Sequence, residues 1–135
     1  MTVRNQFTTK GFILSGLMNI FGVLIFSRFF TNSVIPDYDS QAMSNFGLLM
    51  IVVWGFAFIS VSKNFDKVPW LIGVFVIEKL VYASHWTNWM INNKVSEVFE
   101  KDKMAGIFYS IYGINDWVFF FFFLVVFLKL IQTNK

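Results

Sequence analysis

The 135-residue sequence contains no cysteine and a single histidine. The absence of cysteine excludes disulfides, thiolate metal sites and cysteine nucleophiles. With one histidine, a transition-metal site would need carboxylates for nearly all of its ligands, and haem ligation by two histidines of one chain is impossible. The sequence also has no glycine-rich phosphate-binding loop and no nucleophile elbow. We therefore expect neither a metal ion nor a cofactor.

Charged residues are scarce, at 14% of the chain, whereas 56% of the residues are hydrophobic and 21% are aromatic. The mean hydropathy is +0.61. A water-soluble domain of this length could not hide so much apolar surface. The composition therefore predicts an integral membrane protein. Basic residues beside the spans then explain the net charge of +3, and we do not expect nucleic-acid binding.

Four apolar stretches predict an all-α fold, an integral membrane four-helix bundle with antiparallel up-and-down spans. A bilayer core of about 30 Å requires roughly 20 helical residues. We find no linker and no internal repeat, so residues 1–135 are predicted to form a single transmembrane domain. The predicted spans cover about residues 11–30, 42–61, 69–93 and 104–131.

Local signals support these spans. Ser40 or Ser44 could cap the second helix, and Pro69 suits the first turn of the third, where its missing N–H costs nothing. Small residues such as Gly16 in the first span and Gly55 in the second allow neighbouring backbones to approach closely.

The distribution of basic residues predicts the topology. Four spans place both termini on one side, and cytoplasmic segments carry an excess of Lys and Arg. The opposite side has fewer basic residues and five acidic ones. We therefore expect a multi-pass protein of the bacterial inner (cytoplasmic) membrane with cytoplasmic termini. Six basic residues are counted on the cytoplasmic side: Arg4, Lys10, Lys63, Lys67, Lys129 and Lys135.

The third predicted span contains three polar residues that an apolar helix would normally avoid, Glu78, Lys79 and His85. A lone charge at the bilayer centre costs roughly 2.5 to 3.5 kcal/mol, so such groups normally face the bundle interior and pair. Glu78, Tyr82 and His85 recur at intervals of four and three residues, which places them on one helix face.

In the fourth span, Tyr109, Tyr112 and Asp116 form a similar face. If the two faces meet, a polar strip with aromatic walls runs from the midplane toward the outer surface. This arrangement predicts a cavity between the third and fourth spans. The predicted ligand-binding residues are Glu78, Asp116, Tyr82, His85, Trp86, Tyr109, Tyr112, Asn115 and Arg28.

Lys79 is rotated by about 100° from Glu78 around the helix. It is therefore predicted to form a structural ion pair with Asp116, or else to contact a partner protein. Each of these polar residues also has a purely structural interpretation. The ion pair can serve only to fix helix register, His85 can be a hydrogen-bonded interfacial histidine, and Arg28 can extend to lipid phosphate.

Glu78 and His85 in a polar third helix, with Asn115 and Asp116 in an aromatic-rich fourth, give the chain a resemblance to small bacterial membrane proteins of the DoxX-like kind. It also resembles, more distantly, the emopamil-binding protein and sigma-two receptor superfamily, whose members hold a sterol or amphipathic ligand over buried acids. These resemblances imply a four-helix bundle with an internal ligand pocket.

The leading functional prediction is a membrane protein that binds a small amphipathic or lipid-like molecule in a buried polar and aromatic pocket. One alternative is a non-catalytic subunit of a larger membrane complex. Others are a lipid isomerase-type enzyme, with Glu78 as base and His85 or Asp116 as acid, and a proton or ion pathway through Glu78 and Asp116. The expected partners are membrane lipids and either further copies of the chain or a larger complex.

Overall fold

The computed structural model describes residues 6–135, which form six α-helices and no β-strand. The all-α prediction is confirmed. Arg4, which the topology prediction counts, lies outside the described residues. A 3₁₀ turn, Phe65–Lys67, connects α3 to α4. The helices are α1, Gln6–Phe26; α2, Val34–Tyr38; α3, Asn45–Ser60; α4, Pro69–Asn92; α5, Val95–Lys101; and α6, Lys103–Thr133.

Helix starts follow the local chemistry of the sequence. Ser44 adopts an extended backbone conformation, and its Oγ accepts a hydrogen bond from the Gly47 N–H at 3.0 Å, which caps α3. Pro69 occupies the first turn of α4. The predictions for Ser44 and Pro69 are therefore confirmed.

Consecutive long helices run antiparallel. The helix pair α1 and α3 is closest at Gly16 and Gly55, where each glycine faces the backbone oxygen of the other. A Cβ atom at either position would collide with that backbone, so only glycine permits this approach. In the pair α4 and α6, the Trp86 ring packs directly on Gly113. Contacts between α1 and α6 join the two pairs.

Two apolar clusters fill the interior. One, near the chain termini, consists largely of phenylalanine rings, among them Phe12, Phe58 and Phe123. The other, near α2 and α5, includes Trp89 stacked on Tyr109 with ring centroids 4.4 Å apart. We call these the terminal cluster and the loop-end cluster.

The first long helix ends at Phe26, four residues before the predicted end of its span, because Arg28, Phe29 and Phe30 have φ values of 50°, 56° and 66°. Left-handed backbone costs an L-residue roughly 1 to 2 kcal/mol. Hydrogen bonds compensate, since the Ser27 carbonyl accepts from the N–H groups of Thr31 and Asn32. The turn redirects the chain into α2, which the sequence pattern did not predict.

Asp102 connects the end of α1 to the start of α6. Its Oδ1 accepts from Arg28 at 2.7 Å, and its Oδ2 accepts from Asn32 at 2.7 Å and from the Ala105 N–H at 2.9 Å. Partial burial opposes ionisation of this carboxyl, but the hydrogen bonds from Arg28, Ala105 and Asn32 outweigh it and lower the pKa of Asp102. We call this group the Asp102 clamp.

The outward surface of the long helices is apolar. Ile77 in α4, for example, is 61% exposed, whereas Lys79, two residues later, is fully buried. Among the helices of residues 6–135, α1 and α6 are long and apolar enough to cross a membrane by length and composition, and α3 is apolar but shorter. Two of the four predicted spans therefore correspond to helices that could cross a membrane. The helix α4 does not meet the same criterion of length and hydropathy.

We predict that Asp102→Asn lowers stability at neutral pH by about 1 kcal/mol, because the charge-assisted bond to Arg28 is lost while an oxygen that can cap α6 remains. The pKa of Asp102 is lower in the folded state, so its stabilisation is complete above the unfolded-state pKa of about 3.9 and is lost as the pH falls through the folded-state value. Thermal unfolding in detergent at several pH values measures this difference.

The exposed Asp37, at the same end of the molecule, provides the control, and Asp37→Asn should leave stability unchanged. A difference between the native chain and Asp102→Asn that stays constant down to about pH 2 would contradict the ionic role of the clamp.

Candidate functional site

Lys79 is the centre of a buried polar network. Its Nζ donates to Oδ1 of Asp116 on α6 at 2.9 Å and to Oδ1 of Asn19 on α1 at 3.0 Å. The same ammonium lies 5.1 Å from the centroid of the Phe58 ring on α3. One side chain therefore contacts all three of the other long helices.

Asn19 extends the network to α3, because its Nδ2 donates to the Ile51 carbonyl at 3.1 Å. Asn19 is not among the residues that the sequence predicted to bind a ligand. An amide in an otherwise apolar stretch was the available signal. Its pairing with Lys79 depended on the contact between helices, which the sequence pattern does not show.

Glu78 and Tyr112 supply unused hydrogen-bonding capacity. Each is only 8% exposed, and Oε2 of Glu78 and the Tyr112 hydroxyl are buried without a hydrogen-bond partner in the part of the chain that the structure describes. Unpartnered buried polar atoms are costly, at about 1 to 3 kcal/mol each. Native proteins keep few of them, and their presence points to a ligand or to bound water.

These two residues border a cavity of about 240 Å³. It lies in the half of the molecule nearer α2 and α5. The inner wall comes from Ile51 on α3 and from Glu78 and Tyr82 on α4. At the rim, α1 and α6 contribute exposed apolar side chains: Leu17, Met18, Phe21, Ile25 and Ile111. The opening therefore faces sideways, between α1 and α6.

The two rim helices are joined on either side of the opening. At the loop end, the Asp102 clamp holds the chain after α1 to the first turn of α6. Toward the termini, the Phe122 ring packs against Gly11. The opening of the cavity lies between these contacts, and Gly22 borders the cavity with no atom of residues 6–135, apart from those of its own helix, within 4 Å of the position that a Cβ would take.

Five of the predicted ligand-binding residues line this cavity, and four do not. Glu78, Tyr82, Tyr112, Asn115 and Asp116 border it. The cavity is not where the sequence predicted it, between the third and fourth spans, because the Trp86 ring fills that seam against Gly113. The four residues outside the cavity are Arg28, His85, Trp86 and Tyr109.

Each of those four has another partner. Arg28 belongs to the Asp102 clamp. His85 Nε2 lies 2.6 Å from Oδ2 of Asp39, at the loop end. Trp86 Nε1 donates to the Tyr109 carbonyl at 2.6 Å, and the Tyr109 hydroxyl donates to the Ile35 carbonyl. These bonds connect α4 and α6 to the segment that contains α2.

Comparisons with protein-family models, with curated proteins and with solved structures found no match to this chain. The resemblance to DoxX-like proteins and to the emopamil-binding superfamily therefore stays a prediction. Function has to be inferred from the geometry of the site itself.

We predict that Lys79→Met destabilises the protein by about 3 to 5 kcal/mol, because it leaves the buried carboxyl of Asp116 without its cation. The double variant Lys79→Met with Asp116→Leu should recover most of this loss, since both charges are then absent. Unfolding in detergent, followed by circular dichroism, measures the three stabilities.

Lys129→Met is the matched control, because Lys129 is exposed near the end of α6. This variant should change stability little. A double variant as unstable as the single one would show that the ion pair does not account for the loss.

Proposed function

We propose that this protein is an integral membrane protein in which α1, α3, α4 and α6 cross the bilayer as an antiparallel four-helix bundle. The position of its charges supports this proposal. In the middle of the long helices, the charged residues Glu78, Lys79 and Asp116 are all buried, whereas large apolar side chains face outward on every long helix. A soluble protein rarely exposes a continuous apolar surface of this extent.

The two helices that fall short of the span criteria are compatible with a bilayer. In α4, the charges that lower hydropathy face inward, so they do not meet lipid. With 16 residues, α3 rises about 24 Å, less than the bilayer core of about 30 Å. The turn before it is internally bonded, because Oδ1 of Asp39 accepts from the N–H groups of Gln41 and Ala42. Backbone groups that are satisfied in this way can lie close to the hydrocarbon core, where water is absent.

For localisation we propose the bacterial inner membrane, with cytoplasmic termini and with α2 and α5 outside. The excess of basic residues on the side of the termini supports this orientation. Exposed Lys63 precedes the 3₁₀ turn on that side and exposed Lys67 is the last residue of that turn, whereas Glu97 and Glu100 lie on α5.

Labelling of single cysteines tests this topology, and the absence of native cysteine makes each variant unambiguous. In intact spheroplasts, a membrane-impermeant maleimide should modify Glu97→Cys but not Lys63→Cys, which should react only after lysis. Ile77→Cys, on the outward apolar face of α4, should react in neither condition because hydrocarbon covers it. Labelling of Ile77→Cys in intact membranes would contradict the proposal that α4 spans the bilayer.

We further propose that the cavity binds a small amphipathic or lipid-like molecule. The observation that carries this proposal is the apolar cavity, open at the α1–α6 seam, that is bordered by Glu78 and Tyr112 with their unpartnered polar atoms. Apolar walls with a few convergent polar groups are typical of small-molecule sites. Glu78 and Asp116 would hold a cationic or hydroxylated head, and the apolar body would lie along the rim.

The geometry gives less support to the other hypotheses. A proton or ion pathway would have to cross the terminal cluster, which is apolar. An enzyme using Glu78 and His85 together would need them to converge, but His85 pairs with Asp39 and does not border the cavity. A subunit that contacts its partners through Lys79 or Arg28 would need those charges free, and both are engaged within this chain.

Filling the cavity tests the binding proposal. In Gly22→Leu the new side chain enters open space, so the fold should be retained while ligand volume is lost. We expect the native protein in nanodiscs to show a saturable component of octanol binding, near one molecule per chain, and Gly22→Leu to lose it.

Val53→Leu is the matched control, because Val53 is exposed on α3 and does not border the cavity. This variant should bind octanol as the native chain does. If all three proteins bound octanol equally, the signal would come only from octanol that partitions into the bilayer. That result would contradict the proposal.

A further inference from the structure

We infer that the molecule bound in the cavity carries a primary ammonium group on a short apolar chain, and that it enters from the hydrocarbon through the α1–α6 seam. This inference rests on the proposed function, since it assigns a chemical class and a route to the same site. It depends on three observations: the hydrogen-bonding character of the polar wall, the size of the cavity and the position of the opening.

The polar wall is rich in acceptors. Lys79 is the single cation buried beside Glu78 and Asp116 among residues 6–135, and its ammonium already donates to Asn19 and Asp116. One carboxyl therefore remains without a cationic partner, and its buried Oε2 receives no hydrogen bond from the described chain. A ligand that supplies one positive charge and several N–H donors would give this carboxyl a cationic partner and would also donate a hydrogen bond to its Oε2.

Other head groups match the wall less well. A carboxylate or phosphate would lie beside Glu78 and Asp116, where like charges repel. A hydroxyl can donate one hydrogen bond to Glu78 and accept one from Tyr112, but it brings no charge to balance the second carboxyl. A quaternary ammonium brings charge but no N–H donor. Of the head groups compared, the primary ammonium alone combines a positive charge with several N–H donors, so it can donate to Glu78 Oε2 and also to the Tyr112 hydroxyl or the Asn115 amide oxygen.

The cavity limits the enclosed part of the ligand. Because a cavity of 150 Å³ holds benzene, one of 240 Å³ holds roughly ten non-hydrogen atoms. The rim residues, including Phe21 and Ile111, are exposed and apolar, so the opening faces the same surroundings as the outward helix surfaces. An alkyl chain can therefore extend from the cavity into hydrocarbon without crossing a polar barrier.

The test compares four probes of equal chain length: octylamine, octanol, octanoate and octyltrimethylammonium. Saturable binding is measured at neutral pH in nanodiscs of neutral lipid, for the native protein and for Glu78→Gln. Gly22→Leu, in which the cavity is filled, is the blank. Subtracting its signal removes the contribution of probe that simply partitions into the lipid.

We expect the native protein to bind octylamine at least about tenfold more tightly than octanol, because a charge-assisted hydrogen bond is roughly twice as strong as a neutral one. Octanoate should not bind measurably, and octyltrimethylammonium should bind no better than octanol. In Glu78→Gln the preference for the amine should disappear, and octanol should bind somewhat more weakly because its hydroxyl donates to an amide oxygen in place of a carboxylate. A circular dichroism spectrum equal to that of the native protein shows that the variant has folded.

Infrared difference spectra give a second readout. Octylamine should change a carboxylate band of the native protein, and this change should be absent in Glu78→Gln. Equal affinities of octylamine and octanol, or tight binding of the quaternary ammonium, would overturn the assignment of a primary ammonium. In either case the proposed binding function would stand, whereas failure of all four probes to bind saturably would overturn both.

Discussion

The burial of one ammonium among four helices is the constraint on which this structure depends. Lys79 cannot remain charged in an apolar interior without partners, and it obtains them from Asp116 on α6, Asn19 on α1 and the Phe58 ring on α3. These contacts fix the rotation of α4 relative to its neighbours. They also divide the interior into the terminal cluster and the loop-end cluster.

The position and surroundings of Glu78 are a consequence of the same constraint. Once Lys79 is committed to Asp116 and Asn19, the adjacent Glu78 forms no ion pair within residues 6–135, and its side chain borders the cavity between α1 and α6. The apolar rim and the two contacts on either side of the seam then define a site with one polar wall and one side opening. This arrangement supports the proposal of an amphipathic ligand, because the polar wall and the apolar rim match the two parts of such a molecule.

The two ends of the molecule differ in construction. At the loop end, polar bonds hold α2 and α5 over the bundle, and they include the Asp102 clamp and the pair of His85 with Asp39. At the other end, the packed aromatic rings of the terminal cluster fill most of the interior between the helices. This asymmetry favours a site that opens toward one half of the bundle over a passage through it.

A good part of the fold was predictable. The all-α class, the capping by Ser44 and the start of α4 at Pro69 follow from composition and from backbone chemistry that operates within a few residues. Prediction was weaker between α1 and α3, where the left-handed turn at Arg28 to Phe30 and the short helix α2 have no strong local signal.

For the site, the sequence alone determined that Glu78, Lys79 and Asp116 lie in apolar stretches and that Glu78 and Tyr82 share a face. Helical periodicity fixes positions around one helix but does not say which neighbouring helix meets that face. The tertiary structure decided that the cavity opens between α1 and α6, since Trp86 packs on Gly113 and closes the seam between α4 and α6. It also decided the partners of His85 and Arg28, because Asp39 and Asp102 come from distant segments whose approach depends on turns and close glycine contacts.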